Sequence, residues 1–247
     1  MLKRFLFKQL WRLWLGLLVG LLGPMPEGLA GGVGSPSSIL KKGQWAFGAS
    51  SSSVVERNVE NSSGGSNAVA FGGNHFRGYG LTDRLSLYGS LGATRLKITD
   101  SPTKIDNSTE HSFSGAIMVS GQLKGRLWQR PEQDLVWDGS VRFLDLRSRH
   151  EGANEGDWLE WQFATTVAKR FGDLTPYAGF KLSLLDFDYT LRKAGALVEE
   201  ATYEEDGVLG LVLGTDFAFG ASKEFVLNVE GTFLNGVEID VAVNYSF

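Results

Sequence analysis

From Ile239 to Phe247 every second residue is apolar: Ile239, Val241, Val243, Tyr245 and Phe247 alternate with Asp240, Ala242, Asn244 and Ser246. A β-strand sends successive side chains to opposite faces, so this stretch carries one greasy face and one mainly polar face. The same period of two returns upstream. Phe113, Ile117, Val119, Leu123 and Leu127 oppose Ser114, Ser120, Gln122, Lys124 and Arg126, while Leu159, Trp161, Phe163 and Val167 oppose Glu160, Gln162 and Thr166. Leu209, Leu211, Leu213 and Phe217 oppose Gly210, Gly214 and Asp216, and Phe225, Leu227, Val229 and Phe233 oppose Asn228, Glu230 and Thr232. With 32 glycines and only 6 prolines, the composition suits many glycine-punctuated strands. Cysteine is absent, which removes disulfides, thiolate zinc sites and thiol catalysis.

The first thirty residues are of another kind. Lys3, Arg4 and Lys8 precede an apolar run from Leu13 to Leu22, then Pro24 and Pro26 as helix breakers and Gly28-Leu29-Ala30 as a small-residue cleavage site. This order predicts a secretory signal over 1–30, a short segment over 31–42 and one domain over 43–247. The apolar run is about half of the roughly 20 residues a spanning helix needs. A chain that stays in a membrane without such a helix must cross it with strands, and hydrocarbon tolerates strands only when every edge is paired, which means a closed barrel.

The connections alternate in length. Tight reversals are expected at 79–85, 129–134, 171–177 and 219–225, and longer polar connections near 54–66, 99–110, 149–157 and 192–206, with a hairpin-short turn at 234–237. The count is ten strands, near 43–53, 67–80, 84–98, 111–128, 135–148, 158–171, 177–191, 207–219, 225–233 and 237–247; eight is the alternative, because Ser50 to Ser53 offer little apolar surface. The fold class is therefore an all-β, transmembrane, antiparallel up-and-down barrel with both termini on one side. In three places the apolar parity changes along a strand: from Leu87 and Leu91 to Leu96 and Ile98, from Val141 and Phe143 to Leu144 and Leu146, and from Leu182 and Leu184 to Phe187 and Tyr189. Bulges, or strands running on beyond lipid, would each produce this. Trp45, Trp128, Trp137, Trp158, Trp161, Tyr177 and Tyr245 fall near strand ends, as interfacial girdles do.

In its last strand, with Tyr245 and the terminal Phe247, the chain resembles bacterial outer-membrane barrels, and in size the small OmpA-like and OmpX-like members of the porin superfamily without a periplasmic domain. The resemblance implies residence in the bacterial outer membrane after export, contact with its lipid and lipopolysaccharide, and recognition of Tyr245 and Phe247 by the barrel-assembly machinery. It leaves the oligomeric state open.

The polar faces supply candidate lumen-lining residues: Lys124, Arg126, Asp138, Arg142, Lys181, Asp216, Asn228, Glu230 and Asp240. Either these charges pair across the lumen and hold the barrel together, or they line a narrow path for ions and small solutes. The first reading gives a structural or surface-interacting barrel, the second a porin-like channel. An outer-leaflet hydrolase is the third reading, and it needs a base beside a nucleophile. His111 and Ser112 are adjacent and so face opposite ways, while Asp186 and Asp188 have no histidine that sequence alone brings to them; His75 stands in a strand near Asn74, and His150 in a loop before Glu151. The expectation is a non-enzyme with no catalytic, cofactor or metal residues. Glu199, Glu200, Glu204, Glu205 and Asp206 form an acidic run without the spacing of a calcium-binding loop, expected to be a solvated loop. A net charge of −4 and the lack of a basic patch set nucleic acid aside as a partner.

Overall fold

The computed structural model describes residues 34–35, 38–61, 64–99, 110–148, 154–193, 196–205, 208–234 and 236–247. Eleven strands follow in order: β1 (Trp45–Asn61), β2 (Gly64–Thr82), β3 (Leu85–Thr99), β4 (Glu110–Arg130), β5 (Leu135–Ser148), β6 (Glu155–Lys169), β7 (Leu174–Lys193), β8 (Ala196–Glu205), β9 (Leu209–Phe219), β10 (Phe225–Phe233) and β11 (Val237–Ser246). Every pairing is antiparallel, and β1 closes the sheet on β11 from Ala46 opposite Ser246 to Ser53 opposite Ile239. The seryl stretch that left the first strand in question is thus paired on both sides, by β11 and by β2.

The barrel is not the same width at its two ends. β8 pairs with the distal part of β7, Asp186 to Lys193, and β9 continues in the same direction along the proximal part, Leu174 to Leu182. The two are one strand interrupted before Leu209. Near the termini the ring therefore holds ten strands, β1 to β7 with β9, β10 and β11. The β10–β11 hairpin stops short, and beyond its tip β8 reaches across to β1, pairing Glu205 with Val59 and Glu204 with Glu60. The distal ring has eight strands. Both counts that the sequence allows occur, at different heights, in a ten-stranded barrel.

A bulge in β1 makes this change of ring fit. Register slips between Val54 and Arg57 against β2, and Gly236 at the hairpin tip lies against it. At φ +117 Gly236 sits where side chains rarely go, and a Cβ there would stand 2.1 Å from the Glu56 carbonyl.

The expected long connections near 54–66 and 192–206 are corrected: β1 and β2 run to Asn61 and from Gly64, and β7 and β8 run to Lys193 and from Ala196. They looked like loops because their outward residues are polar. Of the connection near 99–110, residues 100–109 lie outside the described residues, as do 149–153 of 149–157.

The wall carries two opposite codes. In the proximal part apolar side chains face out: Phe180, Leu182 and Leu184 on β7, Leu209, Leu213, Phe217 and Phe219 on β9, Ile239, Val241 and Tyr245 on β11 are all exposed. In the distal part they face in. Leu96, Ile98, Phe187 and Tyr189 are buried inside, while Arg95, Lys97, Asp186 and Asp188 share the outward parity of their strands. On β3 and β7 the inward parity never changes, so the broken phase at Leu96 and at Phe187 is a change of what the wall faces rather than a slip of the strand. β4 does switch, through a bulge opposite Thr94 and Leu96 that brings Phe113 inward after Ala116 and Met118, and so does β1, whose bulge turns Arg57 and Val59 inward after Ala46, Ser50 and Val54.

Candidate functional site

The apolar outer stripe runs from Leu174 to Leu184 on β7 and from Leu209 to Phe219 on β9. That is the height, about 9–11 residues, that a tilted strand needs to cross hydrocarbon. Aromatic rings edge it at the proximal rim. Phe217, Phe219, Phe225, Tyr245, Phe247 and Phe47 follow one another with centroid separations between 4.9 and 6.1 Å, and Trp45 packs on Tyr79 at 4.8 Å. At the other edge stand charges: Arg147 pairs with Asp145 at 2.7 Å, a hydrogen bond that raises the Arg147 pKa, with Asp157, Asp186 and Asp188 across the neighbouring strands. An apolar belt between an aromatic girdle and a charged collar is the outside of a membrane-spanning barrel.

The chain is an outer-membrane-type β-barrel.

Its proximal rim, with both ends of the wall and the short turns, corresponds to the periplasmic side. The girdle residues divide. Trp45, Trp128, Trp137 and Tyr245 are exposed as expected, but Trp158 points into the lumen, Trp161 is covered by Phe143 at 4.9 Å, and Tyr177 is a lumen residue.

Inside, all eight charged candidates are brought together. Lys124, Asp138, Arg142, Lys181, Asp216, Glu230 and Asp240 are buried, and the Arg126 guanidinium pairs with Asp138 at 2.9 Å. Lys181 donates to Glu238 at 2.5 Å. Glu230 accepts from the Tyr177 hydroxyl at 2.7 Å, which in turn accepts from Asn228 at 2.8 Å, and Asn228 also donates to Asp216 at 2.7 Å. A carboxylate out of water needs such donors, because leaving one unpaired costs more than the hydrogen bond itself returns.

Two features were not expected from the sequence. The first is a chain segment within the lumen. Lys41 to Gln44 turn at the rim, with Gly43 donating to the Gly80 carbonyl at 2.8 Å, and residues 34–35 and 38–40 lie inside the wall. Gly80 has no side chain because a Cβ there would overlap the Lys41 carbonyl at 1.8 Å. Inside, Gly34 donates to Glu230 at 2.7 Å, Ser35 donates to Asp216 at 2.9 Å, and Leu40 donates to Ser86 at 2.8 Å. The Ser38 carbonyl accepts from Tyr88, and Lys124 donates to the Ser38 hydroxyl at 2.7 Å. Nothing in Gly-Ser-Pro-Ser-Ser marks this segment except its small, polar residues, which read as a linker.

The second is an ion cluster at the height where ten strands become eight. Arg57, turned inward by the β1 bulge, donates to Glu160 at 2.7 Å and to Glu205 at 2.8 Å, and also to Ser183. Glu160 further accepts from Trp158 at 3.1 Å and Gln162 at 2.7 Å. Arg57 was hidden in a presumed loop, and Glu205 in a presumed acidic loop. That loop is a strand: its alternation sends Glu200 and Glu204 outward and Glu205 inward, so these carboxylates do not converge. The side chain of Glu199 and all of Asp206 lie outside the described residues, and among the described residues no three His, Asp or Glu side chains are grouped to hold a metal.

Beyond this cluster the lumen is mainly apolar. Phe113, Trp158, Phe187, Tyr189, Tyr203, Leu96, Ile98, Leu144, Leu146 and Leu185 form one buried cluster, with rings 5.5 to 6.4 Å apart. An eight-stranded ring is just wide enough for side chains to fill, and here they do.

No family model matches the chain, and no curated protein matches it. Among solved structures it is similar to the outer membrane protease OmpT of Escherichia coli, with 11% identity over 85% of this chain and 98% of that one and a TM-score of 0.44. It is likewise similar to the outer membrane protein OprG of Pseudomonas aeruginosa (7% identity, 84% and 97% covered, TM-score 0.41) and to the outer membrane protein AlkL (12%, 90% and 97%, TM-score 0.40). These likenesses extend to the barrel fold and no further.

Proposed function

We propose that the protein is a non-conducting outer-membrane barrel with a structural or surface-interacting role. The observation that carries this is the distal ring, narrowed to eight strands and packed by Phe113, Trp158, Phe187, Tyr189 and Tyr203 above the buried Arg57–Glu160–Glu205 cluster. A solute crossing it would have to displace packed rings and separate a buried ion pair. On this reading the charged lumen below braces the wall and does not guide solutes. The partners are outer-membrane lipid and lipopolysaccharide along the belt, and the assembly machinery at Tyr245 and Phe247.

The test is conductance of the purified barrel in planar lipid bilayers. Silence is expected, in the full chain and in the Arg126→Ala and Glu230→Ala variants. Steady single-channel steps that change with either variant would establish the channel reading instead. The hydrolase reading gains no support from the described histidines: His75 has the outward parity of β2 and His111 the inward parity of β4, whereas Asp186 and Asp188 lie on the outer wall. His150 lies outside the described residues, so its test is chemical: no lipid A or peptide hydrolysis that a His150→Ala variant abolishes.

A further inference from the structure

The segment inside the lumen is bound the way a ligand is bound. The wall closes without it, since β1 pairs β11 and β2 along its length and residues 34–35 and 38–40 join no ladder. Its main-chain groups and serine hydroxyls are met by side chains from five different strands. The Gly34 amide and the Ser35 hydroxyl donate to the carboxylates of Glu230 on β10 and Asp216 on β9. The Gly34 carbonyl accepts from Thr166 on β6 at 3.1 Å, the Leu40 amide donates to Ser86 on β3, and Lys124 on β4 and Tyr88 reach Ser38. Tyr177 of β7 holds Glu230 in place from behind.

We propose that the periplasmic half of the lumen is a binding site for a short, turned peptide of small, hydroxyl-bearing residues, occupied in this structure by the chain's own residues 34–35 and 38–41, in which the Ser38 hydroxyl donates back to the Ser35 carbonyl at 2.7 Å. Three observations support it. Recognition runs through main-chain atoms and serine hydroxyls, so it reads the path of the main chain and small side chains rather than one sequence. Space is limited to such residues: a Cβ on Gly34 would meet Glu230 at 2.8 Å and Tyr177 and Thr166 at 3.0 Å. The groups that do the binding include Lys124, Asp216 and Glu230, charges that lie buried with the segment in place and offer it strong donors and acceptors. The ten-stranded ring provides the width for a chain that the eight-stranded ring lacks. The site opens at the rim, so its occupant arrives from the periplasm, and the site exists whether or not the distal ring conducts.

The test uses the full chain, folded in detergent, with a site-specific protease sequence inserted in the exposed rim turn after Lys42. After cleavage, a fluorescein-labelled peptide with the sequence of residues 34–41 is titrated and followed by anisotropy. Saturable binding to the cut barrel and none to the uncut barrel is expected. Glu230→Gln and Asp216→Asn, each removing a hydrogen bond to a charged group, should weaken it by about tenfold or more. A peptide with leucine in place of Ser35 should not bind. The proposal is overturned if the cut barrel keeps its heat-modifiable band yet takes up no peptide, or takes up the leucine peptide equally. It is overturned too if cutting alone abolishes the folded band, for then the segment is a fixed part of the fold.

Discussion

The two halves of the lumen solve the same packing problem with opposite chemistry. In the eight-stranded distal half, aromatic and aliphatic side chains fill the interior and charged residues cover the outside, as in a barrel made for water. In the ten-stranded proximal half the wall faces lipid, so apolar residues are outside and charges are inside, and the added width is taken up by an inserted chain segment. The solvent around each half dictates its code. The difference teaches that stability and binding are separated by height: the distal half is held by contacts that any soluble core would use, and the proximal half by hydrogen bonds to a segment that the wall does not require.

The largest effect should come from the distal core. Phe187 is fully buried and meets Phe113, Trp158 and Tyr189. Phe187→Ala removes a ring that rigid strands cannot collapse upon, at a cost of about 3–5 kcal/mol. Urea unfolding of the barrel in lipid vesicles, read by the heat-modifiable band, measures it. A loss under about 1 kcal/mol would mean that the distal half contributes little to the fold, and the contrast between the halves would be wrong.

How much of this was legible in the sequence follows from the same contrast. Where lipid and lumen each demand one kind of residue, the alternation could be read directly, and Lys124, Asp216, Glu230 and Asp240 lie where their parity put them. Where the wall leaves lipid the code inverts, and a reading that equates apolar with outward fails. Leu96, Phe187 and Trp158 then look like slipped strands or girdle residues, and the stretches containing Arg57 and Glu205 look like polar loops. The lumen segment was illegible for another reason: a chain held by side chains in the absence of a ladder has no period to detect.

A moderate effect tests the inversion itself. Val241 lies outward in the belt, opposite Ser51 and Val229, whereas Lys97 has outward parity above it. A cation in hydrocarbon is costly and one in water is not, so Val241→Lys should destabilise the barrel in vesicles by about 2–4 kcal/mol. Lys97→Val, the reverse exchange one storey up, should cost no more than about 1 kcal/mol, the worth of a pair at a watered surface. Equal costs for both would place the belt at another height.

The smallest effect is the most telling for the proximal half. Ser35→Ala deletes the hydroxyl that donates to Asp216, yet Asp216 keeps the amide of Asn228 at 2.7 Å and the wall keeps all its ladders. Global unfolding should therefore move by less than about 1 kcal/mol, the scale of one ordinary hydrogen bond. The segment itself should respond more. In a chain without native cysteine, a reporter thiol at Ser38→Cys should react slowly with a polar maleimide in the parent and several-fold faster once Ser35 is alanine, because the segment leaves the lumen more often without unfolding the barrel. If Ser35→Ala instead cost as much as Phe187→Ala, with no gain in thiol reactivity short of global unfolding, the segment would be as much a part of the fold as the aromatic core, and the two halves would differ in chemistry alone.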